Sequence, residues 1–437
     1  MLGSGILGLG VLSLAAVLGA CDVSPPAADH PSRGANRPAV RIIGADVTVG
    51  YDAAGTPQRE ALTEGSIVDG AVTSASVRLF FSRFLLPSRV LRQSICLHPA
   101  TSVVASIQDC AEPFQPFQSP QYSPVDRNVT FRLPPGQRLA ADTLYRLTVF
   151  QTESVEDPGF FAFDEAPLDR AYVFEFRTQA DDTTARDEAA PTAEAYCAAV
   201  TCATTCTDAF DACKAPCQAT LTTCRDACMD DMACEDACQT AADACEAPCT
   251  TTRDSCLGAC PCSEPSCRVS GDLMQKGLFS TCAFGQCHGG PSDQIAAGLD
   301  LTTPQAVAAT ALGVTAHQTQ TGEEAVVPDQ DPARFGRAMP LVDPGNPGNS
   351  YLLYKVLANP LAFASLAEVD SLDPALVEEI DRLRASVVVG LPMPTPAGNL
   401  PPLGPEMRDD TGDILTGFET SRILDHWIAA GGVASCQ

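Results

Sequence analysis

The sharpest chemistry in the chain lies in one run, Leu273-Met-Gln-Lys-Gly-Leu-Phe-Ser-Thr-Cys282-Ala-Phe-Gly-Gln-Cys287-His288. Two thiols on one short segment can form two thioethers to a haem, and the adjacent imidazole can then ligate its iron. Four residues between the cysteines is a rarer spacing than two. The same residue types also allow a plain disulfide between Cys282 and Cys287, with His288 left at the surface. Met339, His317 and His426 are further candidates for a ligand to that iron.

A second concentration of sulfur precedes this run. Residues 197–267 hold 15 of the 21 cysteines. Cys202, Cys206, Cys213, Cys217, Cys224 and Cys228 recur 32 residues later as Cys234, Cys238, Cys245, Cys249, Cys256 and Cys260, and Pro216 recurs as Pro248. The Ala-rich, Gly-poor sequence between them favours helix. Steps of four and seven residues keep the cysteines on one helical face. Each unit is palindromic about its proline, a strong helix breaker. That favours two short hairpins, with pairs Cys202–Cys228, Cys206–Cys224 and Cys213–Cys217, then Cys234–Cys260, Cys238–Cys256 and Cys245–Cys249. The spacing is equally symmetric about Asp230-Asp231. One long hairpin turning there would pair Cys206 with Cys256. In either arrangement the small side chains make a thin core, and disulfides supply the stability, typically ~2–4 kcal/mol each.

Composition bounds the setting. The chain has 437 residues, 54 acidic against 27 basic, for a net charge of −27. That argues against nucleic acid as a partner, because phosphate binding needs clustered Lys and Arg, and it disfavours anionic lipid surfaces. So many cysteines suit an oxidising, exported environment. No acid/base pair or nucleophile constellation stands out, so a hydrolase is not expected.

The elements that must position the sulfur chemistry read as three parts, after an export signal. Residues 5–18 are an apolar run of signal-peptide length ending in Leu18-Gly19-Ala20-Cys21. This resembles the lipobox of bacterial lipoproteins, which implies a signal peptide over 1–20, lipid on Cys21 and a flexible tether over 21–37. Residues 38–178 alternate with period two. Val77, Leu79 and Phe81 share a face, as do Val129, Phe131 and Leu133, then Tyr145, Leu147 and Val149, then Tyr172, Phe174 and Phe176. These half-buried strands predict a β-sandwich. Phe81-Ser82, Leu86-Pro87-Ser88 and the closing Tyr172-Val-Phe-Glu-Phe-Arg-Thr178 resemble bacterial Ig-like domains, which implies a spacer or adhesive module. A local disulfide is expected between Cys96 and Cys110. An acidic linker follows over 179–195, then the Cys-rich helical segment over 196–268.

The last part, 269–437, carries an ordered series of motifs: Cys282-x4-Cys287-His288, Gly289-Gly290, Gly298-Leu-Asp-Leu301, Asp343-Pro-Gly-Asn-Pro-Gly-Asn-Ser-Tyr-Leu-Leu-Tyr-Lys355, Pro392-Met393-Pro394 and Ile423-Leu-Asp-His-Trp-Ile-Ala-Ala-Gly-Gly432. The series resembles the cytochrome c-like domains of large myxobacterial and planctomycete lipoproteins. The resemblance implies an α-helical fold holding haem c. Cys282 and Cys287 would be the attachment points, His288 the proximal ligand and Met393 the distal one. Phe279 and Trp427 would pack the first and last helices together. Such a protein transfers single electrons or senses through its haem, with a redox protein of unspecified identity as partner.

Two other classes stay open. One is a structural or adhesive surface lipoprotein without a cofactor. The other is Cu(I) binding, because the Cys-lined helices resemble bacterial copper-storage proteins and thiolates select soft metals. Cysteine parity adds one expectation. With Cys21 lipidated, Cys96 paired to Cys110, and Cys282 and Cys287 committed together, Cys436 must bond back to the Cys-rich segment, near Cys262 or Cys267, if all the rest pair.

Overall fold

The computed structural model describes residues 37–52, 55–110, 114–152, 154, 157–229, 231–260, 278–279, 282–283, 288–289, 295, 298–316, 339–365, 367–386, 393–394, 404–405, 407–408, 414–433 and 436. The expected signal peptide, most of the tether, Cys21, Cys262, Cys267, Cys287 and His317 lie outside the described residues.

The first part is a two-sheet β-sandwich. One sheet orders its strands β2 (Pro57–Ala61), β1 (Ile42–Tyr51), β4 (Val77–Phe81), β7 (Asn128–Phe131) and β6 (Gln121–Ser123). The other orders β3 (Ile67–Ala71), β9 (Tyr172–Thr178), β8 (Leu144–Val149) and β5 (Cys96–Pro99). Every pairing is antiparallel except β3 with β9. The period-two pattern works as sheet geometry requires: Val77, Leu79 and Phe81 are fully buried, and they meet Phe131 and Val129 across the β4–β7 ladder. Tyr145, Leu147, Val149, Tyr172, Phe174 and Phe176 close the core from the second sheet. Cys96 on β5 is bonded to Cys110.

Residues 179–192 carry no strand, but they are strapped down. The Glu188 carboxylate accepts from Arg59 Nη2 at 2.8 Å, Ser76 Oγ at 2.6 Å and Arg132 Nε at 3.2 Å. Acidic composition reads as a solvated linker, whereas here an acid answers two partly buried arginines on the sandwich face.

The Cys-rich segment is one long antiparallel hairpin of α1 (Ala193–Ala227) and α2 (Met232–Ala259). Six bridges cross it as rungs: Cys202–Cys260, Cys206–Cys256, Cys213–Cys249, Cys217–Cys245, Cys224–Cys238 and Cys228–Cys234. The two short hairpins favoured by the prolines are therefore replaced by the longer alternative. Two features explain it. Asp231 accepts from the backbone N–H groups of Ala233 and Cys234, and so caps α2, while Met229 sits at a φ of 47°, in the left-handed region that stops α1. Pro216 and Pro248 each lie inside a helix. The missing backbone bonds there are offset by the rungs Cys213–Cys249 and Cys217–Cys245, which staple the helices on both sides of each proline. Phe210 fills the thin core, with Lys214 Nζ at 4.8 Å and the Arg253 guanidinium at 4.7 Å from its ring. Because all six rungs cross the tip, cyanogen bromide cleavage at Met229 and Met232 should leave the fragment ending at Met229 and the fragment starting at Ala233 joined on a non-reducing gel and separate them once reduced. Release without reductant would restore the short hairpins.

The C-terminal part is helical, with α3 (Pro304–Thr310), α4 (Tyr351–Leu357), α5 (Pro374–Ser386) and α6 (Gly417–Ala429) among its described residues. All of α4 is buried. Helix α6 opens on a capping box, in which Thr416 and Glu419 each answer the other's backbone N–H. Its Ile423, Leu424, Trp427 and Ile428 form the inner face. This core is not closed on itself. Phe84, Val125 and Phe163 from the sandwich and Tyr196 and Val200 from α1 belong to the same apolar cluster. Cys436 is bonded to Cys197 in the first turn of α1. The C-terminus thus returns to the Cys-rich segment, at the end opposite Cys262 and Cys267 in sequence.

Two further contacts join the sandwich to the helices. Arg83 lies between β4 and the next turn. It bonds Asp164 with Nη1 at 3.0 Å and Nη2 at 2.8 Å, and Glu379 on α5 with Nε at 2.9 Å. Phe84 N–H donates to the other Glu379 oxygen at 3.0 Å. A Cβ on Gly348 would stand 2.4 Å from the Tyr122 ring, so only glycine lets these surfaces meet so closely.

Candidate functional site

The segment holding Cys282 and His288 is fixed by its backbone. His288 N–H donates to the Cys282 carbonyl at 3.3 Å, and Leu301 N–H donates to the His288 carbonyl at 3.0 Å. The His288 ring is buried, and its Nδ1 lies 2.9 Å from the Leu299 carbonyl. A carbonyl only accepts, so Nδ1 carries the proton. In the neutral ring Nε2 is then the nitrogen with the lone pair. Metal-binding histidines are commonly oriented by this kind of second hydrogen bond.

Opposite elements complete the wall. Helix α4 begins where Tyr351 N–H and Leu352 N–H donate to the carbonyls of Pro340 and Leu341, both at 2.9 Å. Its residues Tyr351, Leu352, Lys355 and Val356 recur at helical spacing and face one cavity. Met393 is held beside them, its N–H donating to the Lys355 carbonyl at 3.0 Å. Asn359 Nδ2 donates to the Pro394 carbonyl at 3.4 Å.

The result is a partly open cavity lined by Cys282, His288, Met393 and Lys355 among Leu, Val, Phe and Tyr side chains. Phe279 lies on its wall, and its ring meets Trp427 of α6 edge-on, with centroids 5.8 Å apart and planes at 77°. Of the residues weighed for the position opposite His288, Met393 is on the cavity wall. Met339 is buried in the neighbouring core, and His426 faces the Tyr196 ring at 5.8 Å. Cys282 is half-buried on the wall.

Lys355 was not legible as a site residue. Its helix reads as core, and the lysine is nevertheless 6% exposed on the cavity wall. The only signal was its i, i+4 relation to Tyr351 within a run that is otherwise apolar.

The wall thus brings together one imidazole with a defined tautomer, one thioether and one cysteine sulfur in an apolar setting.

No protein-family profile and no curated protein matches this chain. Among solved structures, it is similar to the N-terminal part of the bacterial S-layer protein SbsC at 8% identity. That match covers 32% of this chain and 24% of the other, with a TM-score of 0.20, too low to carry a fold argument.

Proposed function

We propose that this cavity binds haem c and that the protein is an exported, lipid-anchored carrier of single electrons. The observation that carries the reading is the meeting of Cys282, His288 and Met393, distant in sequence, on one apolar cavity. Cys282 and Cys287 would hold the haem by thioethers, and His288 and Met393 would ligate its iron. When bound, the haem supplies reversible one-electron chemistry.

The chain's own residues do the rest. The Leu299 carbonyl holds the His288 ring in the ligating tautomer. The leucine-lined wall excludes water, which together with a thioether ligand favours the reduced state and raises the potential. Lys355 places a cation at the cavity wall. Eight disulfides among the described residues suit an oxidising compartment outside the cytosol. Lipid on Cys21 would hold the protein at a bacterial membrane. No helix among the described residues is long and apolar enough to cross one.

The test is optical. Protein matured with haem-attachment machinery should be red, with a sharp Soret band. Met393→Ala should keep the colour and lower the reduction potential, because it removes only the thioether. A colourless wild-type protein with the same fold would leave the tethered scaffold, with the sandwich as a spacer or adhesive module in the manner of Ig-like domains.

A further inference from the structure

The joint between the sandwich and α6 holds an acid that its cation does not answer. Arg422 on α6 commits its guanidinium to Asp126 in the turn after β6, with Nε 3.1 Å from Oδ1 and Nη2 3.2 Å from Oδ2. Asp425, three residues further along α6, enters the same joint. The Ser123 hydroxyl of β6 faces it, and its Oδ1 is buried without a hydrogen bond. Two tyrosines close the joint beside it. The Tyr354 hydroxyl on α4 donates to the Gly348 carbonyl at 2.8 Å, and the Tyr122 hydroxyl on β6 accepts the Leu85 N–H at 2.8 Å. Of the other charged groups, Arg127 in the same turn donates to the Ser82 carbonyl at 3.2 Å, and Glu379 on α5 is held by Arg83. His426, the next residue on α6, faces Tyr196 instead.

From this arrangement we infer that a proton operates the joint: it is closed while Asp425 is a neutral acid, and it loosens when Asp425 ionises. A carboxylate out of water with an oxygen unpaired is costly enough that the group takes up a proton instead. The one cation within reach on α6 is already committed to Asp126, whose own negative charge opposes a second one beside it. Burial and Asp126 accordingly push the Asp425 carboxyl well above the ordinary carboxylate range, against the pull of Ser123 and Arg422.

The direction of the switch follows from linkage. An acid that holds its proton more tightly in the closed state favours closure in acid, and that contribution is lost as pH rises through the closed-state value. The proton leaves to solvent, and the carboxylate regains hydration only if β6 and the turn at Asp126 draw back from α6. Glu379, at the other end of the same joint, is raised by burial and acts in the same direction. Helix α4 is shared: Tyr354 faces the joint, while Tyr351, Leu352, Lys355 and Val356 line the cavity. The inference stands on the joint alone and does not depend on what the cavity holds.

The experiment follows hydrogen exchange in the full chain across a pH series, corrected for the intrinsic exchange rate. The reporters are the amides of Phe84 and Leu85, bonded at the joint to Glu379 and Tyr122. The β4–β7 ladder inside the sandwich is the control. In wild type, protection of the reporters should fall as pH rises while that of the ladder holds. One linked proton is worth about tenfold per pH unit between the open-state and closed-state values. Asp425→Asn keeps the shape and cannot ionise, so it should remove that tenfold per unit and leave the part due to Glu379. Asp126→Asn frees Arg422 for Asp425 and should raise reporter protection at neutral pH, which keeps the test open if the first variant does not fold. Equal pH slopes in wild type and Asp425→Asn, a ladder that loses protection together with the reporters, or Asp126→Asn protection no higher than wild type would overturn the inference.

Discussion

Arg83→Met should lower the stability of the whole protein by about 3–5 kcal/mol at neutral pH, the usual cost of stranding a buried charge. Arg83, Asp164 and Glu379 have side chains only 3%, 3% and 1% exposed. Removing the guanidinium leaves two carboxylates facing each other in a dry interface, with Arg382 Nη1 at 3.3 Å as the remaining cation on Glu379. The pH dependence follows from Glu379. Burial already pushes its carboxyl above the ordinary carboxylate range, against the pull of Arg83. A carboxyl raised in the folded state favours folding below its unfolded value, and that contribution is lost as pH rises through the folded one. The penalty of Arg83→Met, read as the difference from wild type, should therefore be smallest in acid and grow towards neutrality. Urea unfolding at several pH values measures it. Adding Glu379→Gln should recover part of the loss at neutral pH, because one of the stranded charges is then gone.

The second large effect should come from the C-terminal clasp. Cys197–Cys436 closes a sequence separation of 239 residues. The Cys202–Cys260 rung shortens the effective loop but leaves it well above a hundred residues. Chain entropy then predicts a loss of about 3–5 kcal/mol for Cys197→Ser with Cys436→Ser. The damage should be local in its first stage. Tyr196, 4% exposed, packs beside that bond against His426. Hydrogen exchange should therefore rise first in the opening turns of α1 and the last turn of α6, while the six rungs hold the rest of the hairpin. An unchanged melting temperature would mean that apolar packing alone docks α1 on the C-terminal core.

What could be read from the residues follows a physical division. The sandwich strands were legible because period two is a local property, and Val77, Leu79, Phe81, Phe131 and Phe176 are where that pattern puts them. The hairpin was legible as Cys-lined helix, but its turn was not. A proline is a strong local signal, and nothing local shows that bridges on both sides will hold a helix through it. The cap at Asp231 was the better signal. At the cavity, His288 and Met393 could be named because their neighbours form an ordered motif series. Lys355 could not, because a lone lysine in an apolar helix is ordinarily a solvent-facing residue. Arg83 was invisible for another reason. Its partner Glu379 lies 296 residues away, beyond any pattern of spacing.

The account rests most heavily on a covalent claim, and intact-mass spectrometry under denaturing conditions reaches it most directly. Protein produced with haem-attachment machinery should retain one haem's mass after unfolding in acid, and Cys282→Ser with Cys287→Ser should lose that mass while keeping the eight bridges seen in the fold. A wild-type chain whose denatured mass is that of its polypeptide alone, with Cys282 and Cys287 joined to each other, would contradict it.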